Sequence, residues 1–352
     1  MKQKAYISSR RAATWAAALC AALLLLAGCG WWKGPINASP GLRWWLFSNF
    51  GAQRMCPEML KRSAALRLAP GGSAVGRFFP EQCRTQINEQ AQTVTLDFSG
   101  TGYAWTPVAG RVGFWAGASV DYRMDFFLDD DAVYVWALTA RIAHGPEFKL
   151  GSVEYKLANW AAQGPAGYLL NTFGSQLMGS QLANGFTVVH TDSGDEFSLG
   201  HLSPPQRPPT PFVKGKDRFT FANEVTEVKS GQVDFLGPFE VVEQGQGLFL
   251  RMNVTGPAVD VLVVTRSSGD VWRNSLQLGA ALAPPSIPPV ASWAVQPGGE
   301  QQQMLRVPPG QYYVVVDNSA RVGTVNPPWS PLGVVGGSTA VIAYIAELGQ
   351  VD

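Results

Sequence analysis

Two of the three histidines in the 352-residue chain lie in one acidic segment. His190, Asp192, Asp195 and His201 fall within twelve positions, and a predicted hairpin would bring their side chains to one turn. Imidazole and carboxylate groups are common ligands of Zn²⁺ and Ca²⁺, so these four residues are weak metal-ligand candidates. The spacing matches neither an HExxH helix nor an EF-hand loop, and acidic residues in hairpin turns are normally solvated. We therefore predict no metal and no other cofactor.

Nucleophilic catalysis has no recognisable pattern in this sequence. There is no GxSxG, no SxxK and no Cys/His pair of known pattern. Carboxylate pairs for glycoside hydrolysis meet only in the fold, so an envelope hydrolase stays open as a function. We predict no catalytic residue, and the sequence favours a binding protein over an enzyme.

The amino-terminal segment has the parts of an export signal. Basic residues precede an uncharged apolar run, Ala12–Leu26, which is shorter than the roughly 20 residues that a membrane-spanning helix needs. Leu26-Ala27-Gly28-Cys29 follows, and this tetrapeptide resembles the lipobox of bacterial lipoproteins. The resemblance implies cleavage before Cys29, a diacylglyceryl group on its thiol, and acyl chains such as palmitate. An ordinary signal peptide with a chance cysteine, or a short membrane anchor, is the alternative.

The residues after Cys29 refine the expected location. By resemblance to known lipoproteins, Gly30 rather than Asp after the cysteine favours the outer membrane over retention in the inner membrane. The protein would face either the periplasm or the cell surface. Trp31 and Trp32 would lie at the lipid headgroups, as tryptophan does at interfaces, or belong to a mobile tether.

Cysteine usage agrees with export. With Cys20 in the signal and Cys29 lipidated, Cys56 and Cys83 remain. Two cysteines in an oxidising compartment predict a disulfide, which stabilises by roughly 3–4 kcal/mol in the chain-entropy model. A reactive thiol is the alternative, but no neighbouring histidine or helix start argues for one.

Charge and composition exclude some classes of protein. The chain has 27 basic and 26 acidic residues, and four of the basic residues belong to the signal. A nucleic-acid surface needs a clustered basic excess, so we predict no nucleic-acid partner. With 38 glycines and 25 prolines, the composition predicts a turn-rich, mainly β protein.

The chain length favours two domains. Proline at high density blocks ladder hydrogen bonds and favours an extended spacer, which sets the predicted boundary. The predicted organisation is a signal peptide at 1–28, a lipidated tether at 29–41, a first domain at 42–202, a Pro-rich linker at 203–212 and a second domain at 213–352.

Strand patterns dominate the first domain. Gly117–Leu128 and Ala132–Ile142 alternate apolar and polar residues across an Asp-rich turn, which predicts a long antiparallel hairpin. Thr93–Phe98 is predicted to end at a glycine-containing turn, and Phe148–Leu157 to form a separate strand. These strands predict a curved antiparallel sheet.

One stretch, 157–191, contains no Asp, Glu, Lys or Arg. Apolar residues within it recur at helical spacing and predict one apolar helix covered by the sheet. This helix either fills the core or lines a cavity for a lipid or other apolar ligand. The candidate ligand-contacting residues are Leu169, Leu170, Phe173, Leu177 and Met178.

The second domain is predicted to be wholly β. Short β-branched or aromatic runs between Gly/Pro turns predict a β-sandwich or jelly-roll-like domain. Leu248–Val254, Asp260–Val264 and Val307–Asn318 resemble strands of the bacterial pre-peptidase C-terminal type of β-sandwich, with its PxGxYYVVV strand. The resemblance covers at most a third of the chain and implies an accessory module, and the Pro-rich insertion Ala283–Pro289 departs from the pattern.

The predicted export and lipidation signals, together with the predicted fold, indicate a lipid-anchored cell-envelope protein that binds or scaffolds. Its partner would be an envelope protein or a polysaccharide, with the lipid anchor as the membrane contact. A carrier or sequestering protein for an apolar ligand is the alternative, and an envelope hydrolase is the second alternative. Aromatic residues in a β core are mostly packing, yet five tryptophans would also suit a glycan platform. They are Trp44, Trp45, Trp105, Trp115 and Trp136.

Overall fold

The fold is mainly β, as the composition predicted, and consists of a large curved sheet, a second sheet and few helices. The computed structural model describes residues 30–67, 72–106, 110–154, 174, 179, 181–327 and 339–351. Within these ranges the helices with defined bounds are α1 (Gly30–Ala38), α2 (Pro40–Leu46), α3 (Ala52–Leu60) and α4 (Arg266–Gln277), with a π-helical turn at Phe47–Gly51. Gly174, Gly179 and residues 181–183 are also helical.

The strands fall into two groups along the chain. Those of the first half are β1 (Ala64–Arg67), β2 (Ala74–Asn88), β3 (Thr93–Thr106), β4 (Gly110–Leu128), β5 (Val133–Val153), β6 (Phe186–Thr191) and β7 (Gly194–Leu199). Those of the second half are β8 (Phe219–Lys229), β9 (Gln232–Val241), β10 (Gln246–Thr255), β11 (Val259–Thr265), β12 (Ala291–Val295), β13 (Glu300–Leu305), β14 (Gly310–Asn318) and β15 (Thr339–Gln350). Among the described residues, the larger sheet has the order β1-β2-β3-β4-β5-β6-β7-β8-β15-β10-β13 and the smaller sheet β12-β11-β14-β9.

The segment predicted as a tether is helical from Gly30 and contacts the sheet. Asn37 Nδ2 donates a hydrogen bond of 2.9 Å to the carbonyl oxygen of Leu128, at the end of β4. Arg43 Nε donates one of 2.6 Å to Asp125 Oδ1 on the same strand. The helices therefore cover one face of β3–β5. Their shared core contains Trp44, Phe47, Ala52, Cys56, Val94, Leu96, Val120, Tyr122, Met124 and Ala137.

Strand β3 continues past Phe98 to Thr106, so the predicted turn at that point is wrong. The glycines there serve a different purpose. A Cβ on Gly100 would lie 2.1 Å from the carbonyl oxygen of Phe79 on β2. Glycine within a strand often marks such a close backbone approach, and here the neighbouring strand requires it.

Strand β5 runs unbroken from Val133 to Val153, so residues 148–153 are not a separate strand as predicted. Register shifts in the β4–β5 pairing occur around Ser119 and let two long strands stay paired. Such bulges bend a strand without ending it. The alternation of apolar and polar residues is interrupted at the bulges, while the strand itself continues. The predicted hairpin of β6 and β7 is confirmed, with Thr191 opposite Gly194 at its turn.

The second half forms a β-sandwich-like unit, as predicted. Strands β8-β15-β10-β13 of the larger sheet and the whole smaller sheet share one core. Its members alternate along each strand, as a half-buried strand requires. They include Leu248, Leu250, Met252, Val254, Val259, Val261, Val263, Val314, Val316, Ile342 and Tyr344.

The second half is not wholly β, because α4 follows β11 directly. Thr265 caps this helix, since its side chain accepts a hydrogen bond from the backbone N–H of Ser268. Trp272 and Leu276, one turn apart, are buried against the smaller sheet. The rest of the helix is mainly polar, so no apolar run indicated it.

The two halves contact each other through sheet and core. Strand β8 bridges to β7 at Thr220 and to β2 at Thr226, so the larger sheet extends across both halves. The face of the smaller sheet that lies away from the sandwich core packs on Phe79 and Tyr103 of the first half. Residues 203–212 are neither helix nor strand. The division of the chain into two domains at this segment stays a prediction.

Candidate functional site

A groove of about 550 Å³ opens on strands β2–β5. In the β3–β4 pairing Asp97 faces Ser119 and Thr101 faces Trp115. Because side chains alternate along a strand, these residues lie on the face opposite Leu96, which packs under the helices. The groove is lined by Gln82, Cys83, Arg84, Asp97, Phe98, Ser99, Trp115, Gly117, Ala118, Ser119, His144, Gly145 and Glu147.

The Trp115 indole reaches along its own strand to Gly117. A Cβ on Gly117 would be 2.9 Å from the indole carbon Cη2 of Trp115 and 3.3 Å from Cβ of Ser99. Only glycine leaves the space for this ring position. Lys149 Nζ lies 4.7 Å from the ring centroid, at cation–π distance. A half-buried indole laid along a groove gives a large apolar surface on which a ring-shaped ligand can stack.

Charged and polar side chains line the same groove as this indole. Arg84 faces Asp97 across β2 and β3, and His144 faces Ser119 across β4 and β5. Asp97 Oδ2 also accepts a hydrogen bond of 3.2 Å from Gln86 Nε2. The groove therefore presents donors and acceptors of both charge signs around one aromatic surface. In a binding site, a small number of polar groups around an apolar surface fixes the orientation of the ligand and provides specificity.

The predicted disulfide between Cys56 and Cys83 is confirmed, with a Cα–Cα distance of 5.3 Å. It joins α3 to β2 at the residue next to Arg84. Closing the intervening loop restricts the unfolded chain and fixes the strand that forms one wall of the groove. One wall of the groove, strand β2, is therefore held to α3 by a covalent bond.

The structure brings together two of the four metal-ligand candidates. His190 Nδ1 lies 2.5 Å from Asp195 Oδ1, and Arg62 Nη2 donates a hydrogen bond of 2.6 Å to Asp195 Oδ2. Burial alone would raise the pKa of Asp195, but the hydrogen bonds and charges of His190 and Arg62 outweigh it and lower that pKa. His201 instead packs edge-on against Trp136, with ring centroids 4.9 Å apart.

Asp192 is exposed and completes no metal site with the other three candidates. In the described part of the chain, no group of three His, Cys, Asp or Glu side chains could hold a metal ion. Arg62 also occupies the carboxylate that a cation would need. The arrangement at Asp195 is therefore an ion-pair cluster joining the end of α3 to the hairpin.

Two sets of predicted site residues lie outside the described residues. Cys29, the predicted lipidation site, is one. The other is the apolar-ligand set Leu169, Leu170, Phe173, Leu177 and Met178. No helix within the described ranges is both long and apolar enough to cross a membrane.

The five tryptophans considered as a glycan platform do not gather at one place. Trp44 is buried in the core under the helices, and Trp45 is exposed on α2. Lys229 Nζ lies 5.0 Å from the ring centroid of Trp105, and Trp136 contacts His201. Trp115 lines the groove. The other groove residues were not predicted, because sequence alternation shows which face a residue takes and not which strands are neighbours.

No protein-family model matches the chain, and no curated protein is significantly similar to it. What the groove can do therefore follows from its own chemistry. Its walls combine one aromatic surface with hydroxyl, amide, carboxylate, guanidinium and imidazole groups. An open groove of this kind suits an extended polar ligand with ring-shaped units, because hydroxyl-rich rings need both a stacking surface and many hydrogen-bonding partners.

Proposed function

We propose that the protein is a lipid-anchored lipoprotein of the bacterial outer membrane that binds an envelope polysaccharide. The groove on β2–β5 is the proposed binding site. Trp115 provides the stacking surface, and Asp97, His144 and Glu147 provide hydrogen bonds to hydroxyl groups. Binding through this groove would hold the polysaccharide against a membrane-tethered protein, which is a scaffolding role.

The proposal rests on the position of Trp115 over Gly117 inside the groove. A core tryptophan would be covered by apolar side chains, as Trp44 is. Trp115 is instead half-buried, and groove residues Arg84, His144 and Glu147 are exposed. A large ring kept accessible beside polar groups supports recognition of a ligand that is apolar on its ring faces and polar at its edges.

The lipid-anchored location is supported by the lipobox-like sequence ending at Cys29 and by the Cys56–Cys83 disulfide. Disulfides persist in oxidising compartments and are rare in the cytosol. More than one acyl chain is needed for stable anchoring, and lipoprotein processing supplies them.

A polysaccharide fits the groove better than an apolar ligand. Charged residues line it, and each would lose hydration without gaining a hydrogen bond if a lipid chain covered it. The carrier hypothesis depends on residues 169–178 and stays a prediction.

The test is binding to immobilised envelope polysaccharide from the native cell, with soluble N-acetylglucosamine oligomers as a defined competitor. Trp115→Ala should weaken retention about tenfold or more, since aromatic anchors contribute most of such binding energy. Trp105→Ala is the matched control, because Trp105 also lies on a strand with a lysine near its ring. Equal retention of the Trp115 variant and the parent protein would exclude the groove as the binding site.

A further inference from the structure

The helical segment after residue 30 is apolar on two sides. Trp44 and Phe47 are each 8% exposed and pack on the curved sheet. Trp45 is 53% exposed and Phe50 is 63% exposed on the other side. A surface helix normally places polar residues away from the core, and a helix that is apolar all round is buried or in contact with lipid. The outer side of this segment therefore exposes two large aromatic side chains to water.

The outer aromatic residues form one patch. The rings of Trp45 and Phe50 contact each other edge to face, with centroids 5.9 Å apart. Leu42 is exposed and lies three residues before Trp45, so both point from the same side of α2. Trp32 is also exposed, on α1. Contiguous exposed apolar patches on a soluble surface mark interaction sites, whereas single exposed apolar residues do not.

We infer that this patch, Leu42, Trp45 and Phe50, lies against the headgroup region of the bilayer to which Cys29 is anchored. The inference rests on the lipid anchor of the proposed function. Helix α1 begins at Gly30, so the lipid attachment and the folded body are adjacent in the chain. A protein tied this closely must rest part of its surface on the membrane, and tryptophan is enriched at that depth.

Charge does not oppose the same partner. Four of the five basic side chains in residues 30–62 pair with acidic side chains, namely Lys33, Arg43, Lys61 and Arg62. The fifth, Arg54, is exposed on α3, and a basic residue near an anionic leaflet adds attraction to it. Membrane contact would also fix the direction in which the groove on β2–β5 faces, because α1–α3 cover the opposite face of that sheet.

Photolabelling of the protein from its native membrane tests the inference. The protein is reconstituted into phosphatidylcholine–phosphatidylglycerol vesicles that contain a phospholipid with a carbene-generating acyl chain. After illumination, mass spectrometry should place lipid adducts on the peptides with Leu42, Trp45 and Phe50. Adducts confined to the amino-terminal residue, or spread evenly over the surface, would overturn the inference.

A vesicle-flotation assay separates this inference from the anchor itself. The chain from residue 29 with Cys29→Ser should bind the same vesicles weakly, and Trp45→Ser with Phe50→Ser should reduce that binding about tenfold. Val213→Ser with Leu278→Ser is the matched control, because these apolar residues are 85% and 84% exposed elsewhere. If native Cys29 carries no acyl group, the anchor fails while flotation still tests the patch. Flotation unaffected by the aromatic substitutions would overturn the patch alone.

Discussion

Arg77 Nε lies 2.9 Å from Asp234 Oδ1, and this buried ion pair joins β2 of the first half to β9 of the second. The two side chains are 2% and 6% exposed. Tyr103 and Thr226 donate further hydrogen bonds to the Asp234 carboxylate, at 2.6 Å and 2.7 Å. Burial alone would raise the pKa of Asp234, but the Arg77 charge and these hydrogen bonds lower it. The carboxylate is therefore ionised and fully partnered between the two sheets.

Removing this carboxylate should destabilise the whole protein. Asp234→Ala leaves the Arg77 guanidinium buried without its main partner, and such a loss costs about 3–5 kcal/mol. Denaturant unfolding should show this decrease in the free energy of unfolding. Asp131→Ala is the control, because the Asp131–Arg207 pair involves a 79% exposed carboxylate and contributes less than about 1 kcal/mol. Equal effects of the two substitutions would contradict a joining role for Asp234.

Asp317 should make stability depend on pH in the direction opposite to most carboxylates. Burial, together with the charge of Asp260 directly opposite on β11, raises the pKa of Asp317 to about 7, although hydrogen bonds from Ser319 lower it in part. The folded pKa lies above the ordinary value of 3.8. Between about pH 4 and pH 7, Asp317 is therefore protonated in the folded chain and ionised in the unfolded chain. The contribution of this group to stability is therefore largest below about pH 4, falls as the pH rises to about 7 and is constant above.

Asp317→Asn removes the titrating group, so the variant should gain stability relative to the parent protein as the pH rises from 5 to 8. The gain at pH 8 should be roughly 2–4 kcal/mol, at about 1.4 kcal/mol per pKa unit. Urea unfolding at both pH values measures it, with exposed Asp192→Asn as the control. A difference that does not change between pH 5 and pH 8 would refute the raised pKa.

The disulfide should contribute measurably to the free energy of unfolding. Cys56→Ser with Cys83→Ser removes a link between residues 27 apart and should lower the free energy of unfolding by about 3 kcal/mol. Thiol counting on the denatured, unreduced protein should find neither cysteine free. Two reactive thiols per chain would be inconsistent with the bond.

Gly117→Ala should impair polysaccharide binding without unfolding the protein. The new methyl group would meet the Trp115 indole at 2.9 Å, so the ring must move off the strand. Retention on the polysaccharide should then fall as it does for Trp115→Ala, while far-ultraviolet circular dichroism stays unchanged. Gly299→Ala is the control, because a Cβ there meets nothing within 4 Å. Unchanged retention by the Gly117 variant would show that the ring position does not matter for binding.

Local sequence patterns predicted the strand-rich class, the β6–β7 hairpin, the sandwich-like second half and the disulfide. These features depend on alternation along a strand or on counting cysteines, both of which are visible within short windows. The close approach at Gly100 was not visible, because a glycine that accommodates Phe79 on another strand has the same letter as one in a turn. Helix α4 was missed because its apolar contacts reduce mainly to Trp272 and Leu276.

The groove and the buried ion pair could not be predicted, because both depend on pairing between distant residues. Arg77 and Asp234 are 157 positions apart, and nothing near either one indicates its partner. Trp115 and His144 line one groove because β4 and β5 pair with several register shifts. Alternation assigns a face to each residue, while neighbouring strands and their register decide which residues share a site.

The proposed lipid on Cys29 holds the protein at the membrane, and the amino-terminal peptide of the protein recovered from its native envelope reports whether it is present. Mass spectrometry should find a peptide that begins at Cys29 and carries a diacylglyceryl group with a further fatty acyl chain. Cys29→Ser should abolish metabolic labelling with palmitate. A peptide that begins at Met1, or an unmodified cysteine at position 29, would contradict lipid anchoring at Cys29.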